Sequence, residues 1–374
     1  MINLGFYFIK GVFCMNIDDF NFALDDRIAK IQAINEQYDL EHNSYISFSG
    51  GKDSCVLSEL IDLALPNNNI PRIYFNTGIE YKMMVDFVKS IVAKDDRFVI
   101  MNSGVNIKKM LEENGYPFKS KKHSHIWSAY NNNNNINLNE TINYLKNNLD
   151  KQFDYDYIHN LSKGTKTIIK YIFGIREKAT CNSVVEGKSI ITSSMSILTC
   201  PESLRYQFTT EFKNKGLKFS DKCCYKLKKE IALKYEEASG RNIAITGIRG
   251  QEGGMRALNG CTIFSEGKLK KFHPLKTIID EWEDEFIERN NVEICDLYKP
   301  PFNFDRTGCV ACPFALNIQE ELKMLYKHLP SEYKKAINIW KPVYDEYIRI
   351  GYRLKYYPHE NGIQFNIYDY FKNL

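Results

Sequence analysis

The sequence predicts an α/β protein built on a doubly wound parallel sheet. Between residues 19 and 101, short apolar segments alternate with amphipathic segments of helical period. This alternation is typical of a parallel sheet with helices on its faces. The first apolar segment leads directly into a glycine-rich turn and a helical segment, an order that suits anion binding. A helical insertion and a helical C-terminal region are expected beyond this core.

The individual elements are predicted from the spacing of their apolar residues. In the first third of the chain we expect helices over 19–38, 55–65 and 82–94 and strands over 45–48, 72–76 and 98–101. In the remainder we expect a strand over 242–246 and helices over 225–237, 278–288 and 319–352. Pro330 should interrupt the last helix, because proline disrupts a helix interior.

The composition is that of an ordinary globular protein. The 374 residues are 44% hydrophobic and 26% charged, which excludes collagen-like, fully disordered and mini-protein classes. No uninterrupted apolar run reaches 18 residues, so we expect no membrane span and no membrane partner. The net charge of +4 is too small to indicate nucleic-acid binding by itself. The ten cysteines are too sparse for a disulfide scaffold, and without an export signal we expect a cytoplasmic protein.

Five segments are expected along the chain. Met15 precedes an acidic, cap-like stretch and is the expected start of translation, although Met1 remains the alternative. A run of five asparagines over 131–135 lies in the expected insertion. The segments are an extension (1–14), the first part of a nucleotide-binding core (15–125), an insertion (126–204), the second part of the core (205–315) and a helical C-terminal region (316–374).

The strongest single signal is the turn Ser49-Gly50-Gly51-Lys52-Asp53-Ser54 between the first strand and its helix. The free N–H groups of such a turn point at a ligand, and the two glycines let the backbone approach it closely. Lys52 adds positive charge and the serines add hydroxyl donors. No G-x-x-x-x-G-K-[ST] pattern occurs, so this is not a Walker A loop. The alternative is an ordinary strand-to-helix turn.

This turn resembles the PP-loop of the ATP pyrophosphatase (adenine nucleotide alpha-hydrolase) superfamily. Members usually cleave ATP between the α- and β-phosphates, adenylating a substrate and releasing pyrophosphate. Four further stretches resemble the phosphoadenosine phosphosulfate (PAPS) reductase family: residues 75–80, 115–121, 247–256, and 273–275 with Trp282. The resemblance implies binding of ATP, with Mg²⁺, or of an adenylyl sulfonucleotide. The nucleotide- or phosphate-binding residues it implies are Ser49, Gly50, Gly51, Lys52, Asp53, Ser54, Asn76, Thr77, Gly78, Gly247, Arg249 and Arg256.

Two of these residues, Arg249 and Arg256, are expected to contact phosphate or sulfate, because the planar guanidinium binds such anions through two hydrogen bonds. The alternative for both is a surface salt bridge. Glu252 either orients Arg249 or lies in water.

Four cysteines form the second strong signal. Cys223 and Cys224 are adjacent, and Cys309 and Cys312 form a C-x-x-C about 80 residues later. Four thiolates suffice for a [4Fe–4S] cluster or a structural zinc ion, and adjacent cysteines suit a cluster better because each sulfur can bind a different iron. The pattern is also similar to that of the iron–sulfur branch of sulfonucleotide reductases. Zinc and unligated thiols are the alternatives.

The resemblance leaves the reaction open, and no catalytic residue is predicted. Reductases of the family attack sulfur with a cysteine in a C-terminal Glu-Cys-Gly motif, and this chain has no cysteine after Cys312. The leading hypothesis is therefore ATP-dependent adenylation or sulfur transfer to a nucleic acid (tRNA or DNA) or a small acceptor, with a sulfur-donor or electron-donor protein as partner. A sulfonucleotide reductase that uses another thiol, such as Cys261, is the second hypothesis. A non-catalytic nucleotide-sensing module is the third.

Overall fold

A computed structural model describes residues 16–132, 162–173, 200–252 and 260–360. The predictions for residues 1–14, for most of the asparagine run and for Arg256 lie outside the described residues. The chain divides into two compact units. Unit 1 comprises Met1–Gly104 and Leu227–Cys309, and unit 2 comprises Val105–Lys226 and Val310–Leu374.

The described elements follow the predicted order. The strands are β1 (Ser44–Phe48), β2 (Arg72–Asn76), β3 (Phe98–Asn102), β4 (Ile243–Ile245), β5 (Thr262–Ser265) and β6 (Lys268–Phe272). The helices are α1 (Ile17–Tyr38), α2 (Leu40–Asn43), α3 (Lys52–Ala64), α4 (Lys82–Val92), α5 (Ile107–Asn114), α6 (Lys121–Asn132), α7 (Lys163–Phe173), α8 (Thr210–Asn214), α9 (Lys222–Cys224), α10 (Glu230–Ser239), α11 (Asp280–Arg289), α12 (Ile318–His328) and α13 (Pro330–Ile350). A π-helical turn, Tyr225–Lys229, joins α9 to α10.

Unit 1 contains a six-stranded sheet in the order β3-β2-β1-β4-β6-β5. All neighbouring strands pair in parallel except β5, which runs antiparallel to β6 at the edge. The predicted α/β fold is confirmed. The β5–β6 hairpin was not predicted, because β6 carries three lysines and only Leu269 and Phe272 of the two strands are buried.

The two faces of this sheet are covered, as a doubly wound sheet requires. The larger apolar layer lies between the sheet and α1, α3 and α11, where the Phe20 and Trp282 rings stack with centroids 5.3 Å apart. A smaller layer on the other face includes Tyr45, Phe75 and Ile231. Burying both faces explains why β1, β2 and β4 are apolar along most of their length rather than alternating.

Helix boundaries differ from the predictions where local chemistry fixes them. The helix predicted from residue 55 begins three residues earlier, at Lys52, because Gly51 is its N-cap. The last half of the glycine-rich turn is therefore the first turn of α3. The predicted break at Pro330 is confirmed: α12 ends at His328, and Pro330 occupies the first turn of α13, where its missing N–H costs nothing.

Unit 2 is predominantly helical. Its core contains an aromatic cluster in which the Phe118 and Phe219 rings stack at 4.3 Å, with Trp127 and Tyr347 packed against them. Among the residues described in the two units, no helix is long and apolar enough to cross a membrane.

Candidate nucleotide site and cysteine loop

The predicted phosphate loop (Ser49–Ser54) lies at the point where the strand order of the unit 1 sheet reverses. The chain runs from β1 outward to β2 and β3, then returns to β4 on the other side of β1. Ligands of open α/β sheets bind outside the carboxyl ends of the strands at this switch point. The phosphate loop follows β1, and the segment that contains Gly247 and Arg249 follows β4. Two stretches that are far apart in sequence therefore meet at one edge of the sheet.

Hydrogen bonds within the phosphate loop fix its shape. The Ser54 hydroxyl donates to the Gly51 carbonyl at 2.8 Å and accepts from the Ser49 N–H at 3.2 Å. The Ser49 hydroxyl in turn accepts from the Gly51 N–H at 3.3 Å. Gly51, the N-cap residue of α3, supplies no side-chain cap, and the Lys52 N–H donates to the Tyr298 hydroxyl instead. The helix dipole at this N-terminus favours an anion.

Two glycines are required by close packing. Gly50 has φ +73°, and a Cβ there would lie 2.4 Å from Met84 Sδ. At Gly247 a Cβ would lie 2.7 Å from the Asp53 carbonyl oxygen. The end of β4 can therefore lie directly against the first turn of α3 only because residue 247 has no side chain.

Both cations of the candidate site contact carboxylates. Arg249 Nε donates to Asp53 Oδ1 at 2.6 Å, and the same guanidinium also pairs with Asp280. Lys52 Nζ donates to Asp284 Oδ1 at 2.8 Å. Both cations also approach Glu283, whose Oε2 lies 3.3 Å from Arg249 Nη2 and 3.7 Å from Lys52 Nζ. The expected alternative of a salt bridge is thus present at Arg249, but in a half-buried network at the phosphate loop rather than on an open surface.

Residues 75–80, at the end of β2 and just beyond it, form a tight turn that is stabilised by Glu80. The buried Glu80 carboxylate accepts from the Thr77 N–H at 3.0 Å and from its hydroxyl at 2.7 Å. Asn76 Oδ1 accepts from the Gly78 N–H at 3.0 Å. Thr77 is fully buried, so its role is to shape the turn, whereas Asn76 remains accessible at the end of β2.

A small cavity of about 80 Å³ lies beside the phosphate loop, lined by residues of β1 and β2 and by Met84, Lys228 and Thr307. The Thr307 and Tyr298 hydroxyl oxygens are 2.6 Å apart, and a Cβ on Gly51 would lie 3.1 Å from the Tyr298 hydroxyl. Together with Glu283, these two residues adjoin the site but were not predicted. Glu283 directly follows Trp282, which belongs to a stretch that resembles the family. This position is the one sequence signal that could have identified Glu283.

The predicted cysteines are divided between the units, since the boundary falls between Cys309 and Val310. In unit 1, the backbone of Cys309 pairs with Glu80 in an isolated antiparallel bridge. In unit 2, Cys223 is buried and Cys224 is partly exposed on α9. Among the described residues, no group of three or more His, Cys, Asp or Glu side chains is arranged to hold a metal ion. The donor set itself, four thiols, is of the kind that an iron–sulfur cluster or zinc accepts.

The backbone before and after Cys312 is held by α13. Trp340 Nε1 donates to the Val310 carbonyl at 2.9 Å, and the Tyr347 hydroxyl donates to the Pro313 carbonyl at 2.7 Å. The Tyr344 hydroxyl donates to the carbonyl of Ala311, which has φ +44°. Helix α12 contributes Glu321, whose Oε1 accepts from the Ala311 N–H at 2.9 Å. The side chains of two helices thus stabilise an otherwise strained turn.

Two basic side chains of unit 2 are buried near residues 310–313. Lys119 is one, and burial lowers the pKa of its amine to about 8. His123 is the other, with Nδ1 2.9 Å from the Tyr171 hydroxyl and Nε2 3.1 Å from Gln207 Oε1. Burial lowers the pKa of His123 to about 3, so the imidazole is neutral. The neighbouring His125 is exposed.

A family model described as the phosphoadenosine phosphosulfate reductase domain matches residues 43–152 and 174–315, more than half of the chain. The chain belongs to the PAPS reductase family. The matched residues include the phosphate loop, Arg249 and all four predicted cysteines. The sequence resemblance to this family is therefore confirmed, while its iron–sulfur branch remains a prediction.

Individual proteins found to be similar to the chain are only distantly so. An uncharacterized protein of Methanocaldococcus jannaschii is 33% identical over 112 residues, which are 28% of this chain and 27% of that relative. The chain thus matches about a quarter of the relative's length. The crystal structure of phosphoadenylyl-sulfate (PAPS) reductase from Candida auris in its phosphate complex aligns with 79% of this chain and 96% of that chain. The TM-score is 0.37 at 12% identity, so family membership rests on the family match alone.

Proposed function

We propose that this PAPS reductase family member binds an adenine nucleotide at the switch point of its sheet and uses ATP to adenylate an acceptor for sulfur transfer. The observation that supports the nucleotide proposal is that the N-terminus of α3 directly follows a glycine turn and has no side-chain cap from Gly51. Lys52 and Arg249 lie at the same edge of the sheet. A helix N-terminus and two nearby cations favour the binding of a polyphosphate.

The proposed reaction is a nucleophilic displacement at the α-phosphorus of ATP. An acceptor oxygen forms a bond to the α-phosphorus while the bond to the pyrophosphate oxygen breaks, and pyrophosphate leaves with that electron pair. Lys52 and Arg249 would stabilise the charge that develops on the phosphate oxygens, with Mg²⁺ bound to the nucleotide sharing this role. Asn76, at the accessible end of β2, would help to orient the nucleotide.

A [4Fe–4S] cluster held by Cys223, Cys224, Cys309 and Cys312 is proposed as the resident metal group, with zinc as the alternative occupant. The support is the donor chemistry and the hydrogen bonds that hold the turn at Ala311. A bound cluster would supply electron transfer or sulfur handling.

Isotope exchange tests the proposed reaction. Labelled pyrophosphate should exchange into ATP only when the correct acceptor is present, so the assay is run with tRNA, duplex DNA and small acceptors in parallel. Lys52→Ala should abolish exchange, whereas Lys94→Ala, an exposed lysine paired with Glu293, should leave it unchanged. Tight ATP binding without exchange for every acceptor class would favour the nucleotide-sensing module instead.

A second candidate function, sulfonucleotide reduction through Cys261, is favoured by the position of that residue. Cys261 precedes β5, which is antiparallel to β6, so it lies at the carboxyl end of β6. Its carbonyl accepts from the His273 N–H at 2.7 Å, and its side chain is partly exposed. Release of sulfite from a sulfonucleotide in the presence of thioredoxin, lost in Cys261→Ser, would establish this function. Unchanged release in that variant would exclude Cys261 as the nucleophile.

A further inference from the structure

Glu283 is an unusual residue in the candidate nucleotide site. Its carboxylate is completely buried on α11, and neither oxygen accepts a hydrogen bond from the residues that the structure describes. A buried carboxylate without hydrogen bonds is unfavourable in its charged form, and here only the ion pairs with Arg249 and Lys52 oppose that cost. Its neighbours Trp282 and Phe286 are packed into the core, so the side chain cannot swing out to water without unpacking α11.

The groups that face Glu283 are of both signs. Glu283 interacts electrostatically with three groups on α3, which are Lys52, Asp53 and the thiol of Cys55. It also interacts with Arg249, in the segment after β4. On α11 itself, Asp280 and Asp284 contact the same two cations. Two cations therefore face four carboxylates, and the site has an excess of negative charge when every acid is ionised.

Two of these carboxyl groups approach each other. A side-chain hydrogen bond between Glu283 and Asp53 forms only when one of them carries a proton, since two carboxylates offer no donor. Burial and this contact with Asp53 raise the pKa of Glu283 to about 8, against the opposing effect of Arg249 and Lys52. The proton state of Glu283 therefore changes near neutral pH.

We propose that Glu283 is a proton-controlled latch on the phosphate-binding cations. Ionised, it adds a buried negative charge to the carboxylates that already hold Lys52 and Arg249. Protonated, it removes that charge, so the two cations interact more strongly with the phosphates of the nucleotide. The inference rests on the proposed nucleotide site and adds its regulation. When a nucleotide binds to the ionised form, one proton moves from solvent to the Glu283 carboxylate, and no other bond changes. Nucleotide affinity should therefore fall as pH rises through the pKa of this carboxyl.

Titration calorimetry of the full chain tests the latch with ATP at pH 7, 8 and 9. The wild-type affinity should fall about tenfold between pH 7 and pH 9, the change expected when binding requires one proton on a group of pKa near 8. Glu283→Gln mimics the protonated carboxyl and should hold its affinity within about twofold over this range, close to the wild-type value at pH 7. Asp284→Asn removes the exposed carboxylate that also contacts Lys52, and it should retain the pH dependence.

A second measurement keeps the test independent of the variants. At pH 9, repeating the wild-type calorimetry in buffers of different ionisation enthalpy counts the protons taken up on binding, and the latch requires close to one. An uptake of zero, or an unchanged pH dependence in Glu283→Gln, would overturn the latch while leaving the nucleotide site intact. A wild-type chain that binds no adenine nucleotide at any of these pH values would overturn both proposals.

Discussion

At the scale of single residues, the phosphate loop contains a glycine at which any side chain is disfavoured. At Gly50 the positive φ and the contact with Met84 act together, whereas Gly104 has a similar φ of +63° and a Cβ added there would have no neighbour within 4 Å. Gly50→Ala should therefore lower the free energy of unfolding by the strain of about 1–2 kcal/mol common to both sites plus a packing cost of about 1–3 kcal/mol. Gly104→Ala should lower the free energy of unfolding by the backbone strain alone.

Denaturant unfolding of both variants measures this difference, and ATP titration shows whether the loop keeps its function. We expect Gly50→Ala to lose most of its nucleotide affinity and Gly104→Ala to retain it. Equal destabilisation of the two variants would mean that the contact with Met84 does not constrain the loop.

A buried histidine gives unit 2 a pH dependence of its own. The pKa of His123 is lowered by burial, so on acidification the unfolded chain binds a proton near pH 6.5 that the folded chain does not bind until about pH 3. The stabilisation is complete above pH 6.5 and is lost as the pH falls below it, by roughly 2 kcal/mol at pH 5. Unfolding followed between pH 7 and pH 5 should show a weaker acid destabilisation in His123→Gln than in the wild type, while the exposed His125→Gln should match the wild type. Identical profiles in all three proteins would contradict this assignment.

At the scale of elements, α13 positions the loop around Cys312 (residues 310–313) through three hydrogen-bond donors spaced along two helical turns. Trp340, Tyr344 and Tyr347 are fully buried and donate to consecutive parts of the loop. Tyr344→Phe leaves the Ala311 carbonyl without this donor and should lower the free energy of unfolding by about 1–3 kcal/mol. Cys312 should then be alkylated several-fold faster in the metal-free chain, as measured by mass spectrometry. Tyr326→Phe, a half-exposed position on α12, should not change the alkylation rate; equal rates for Tyr344→Phe and wild type would show that α13 does not hold the loop.

The elements also show which parts of the fold could be predicted. Strand β2 was predicted with its observed bounds because its central residues are apolar or β-favouring and the strand is buried on both faces. The β5–β6 hairpin escaped prediction because the edge strand β5 is short and has no buried residue, while three of the five residues of β6 are lysines. The early start of α3 was missed for a different reason, since Lys52, Asp53 and Ser54 have no apolar periodicity and are helical because of Gly51.

The candidate site was predictable to a similar extent. Residues in one contiguous motif, such as Ser49 to Ser54, could be identified from sequence order alone. Glu283, Tyr298 and Thr307 could not, because their proximity to the loop is created by packing of segments more than 200 residues away. A buried acid such as Glu283 also has the sequence appearance of a solvated helix face.

At the scale of the whole molecule, the four cysteines Cys223, Cys224, Cys309 and Cys312 predict a metal group. Anaerobically purified protein should contain about four irons and four acid-labile sulfides per chain, the content of one [4Fe–4S] cluster, with the corresponding visible absorption. Cys309→Ser should lose both, and Cys295→Ser, a buried cysteine outside the predicted set, should retain them. Stoichiometric zinc in the wild type would replace the cluster by a structural ion, and retention of iron in Cys309→Ser would remove that residue from the ligand set.

The phosphate loop at the switch point is proposed to bind an adenine nucleotide. Calorimetric titration of the full chain with ATP, and with PAPS in parallel, tests this binding, using Lys52→Ala and the exposed Lys94→Ala as a matched pair. We expect saturable binding of one nucleotide per chain, weakened at least tenfold in Lys52→Ala and unchanged in Lys94→Ala. Absence of binding by either nucleotide, or equal affinity in the two variants, would contradict it.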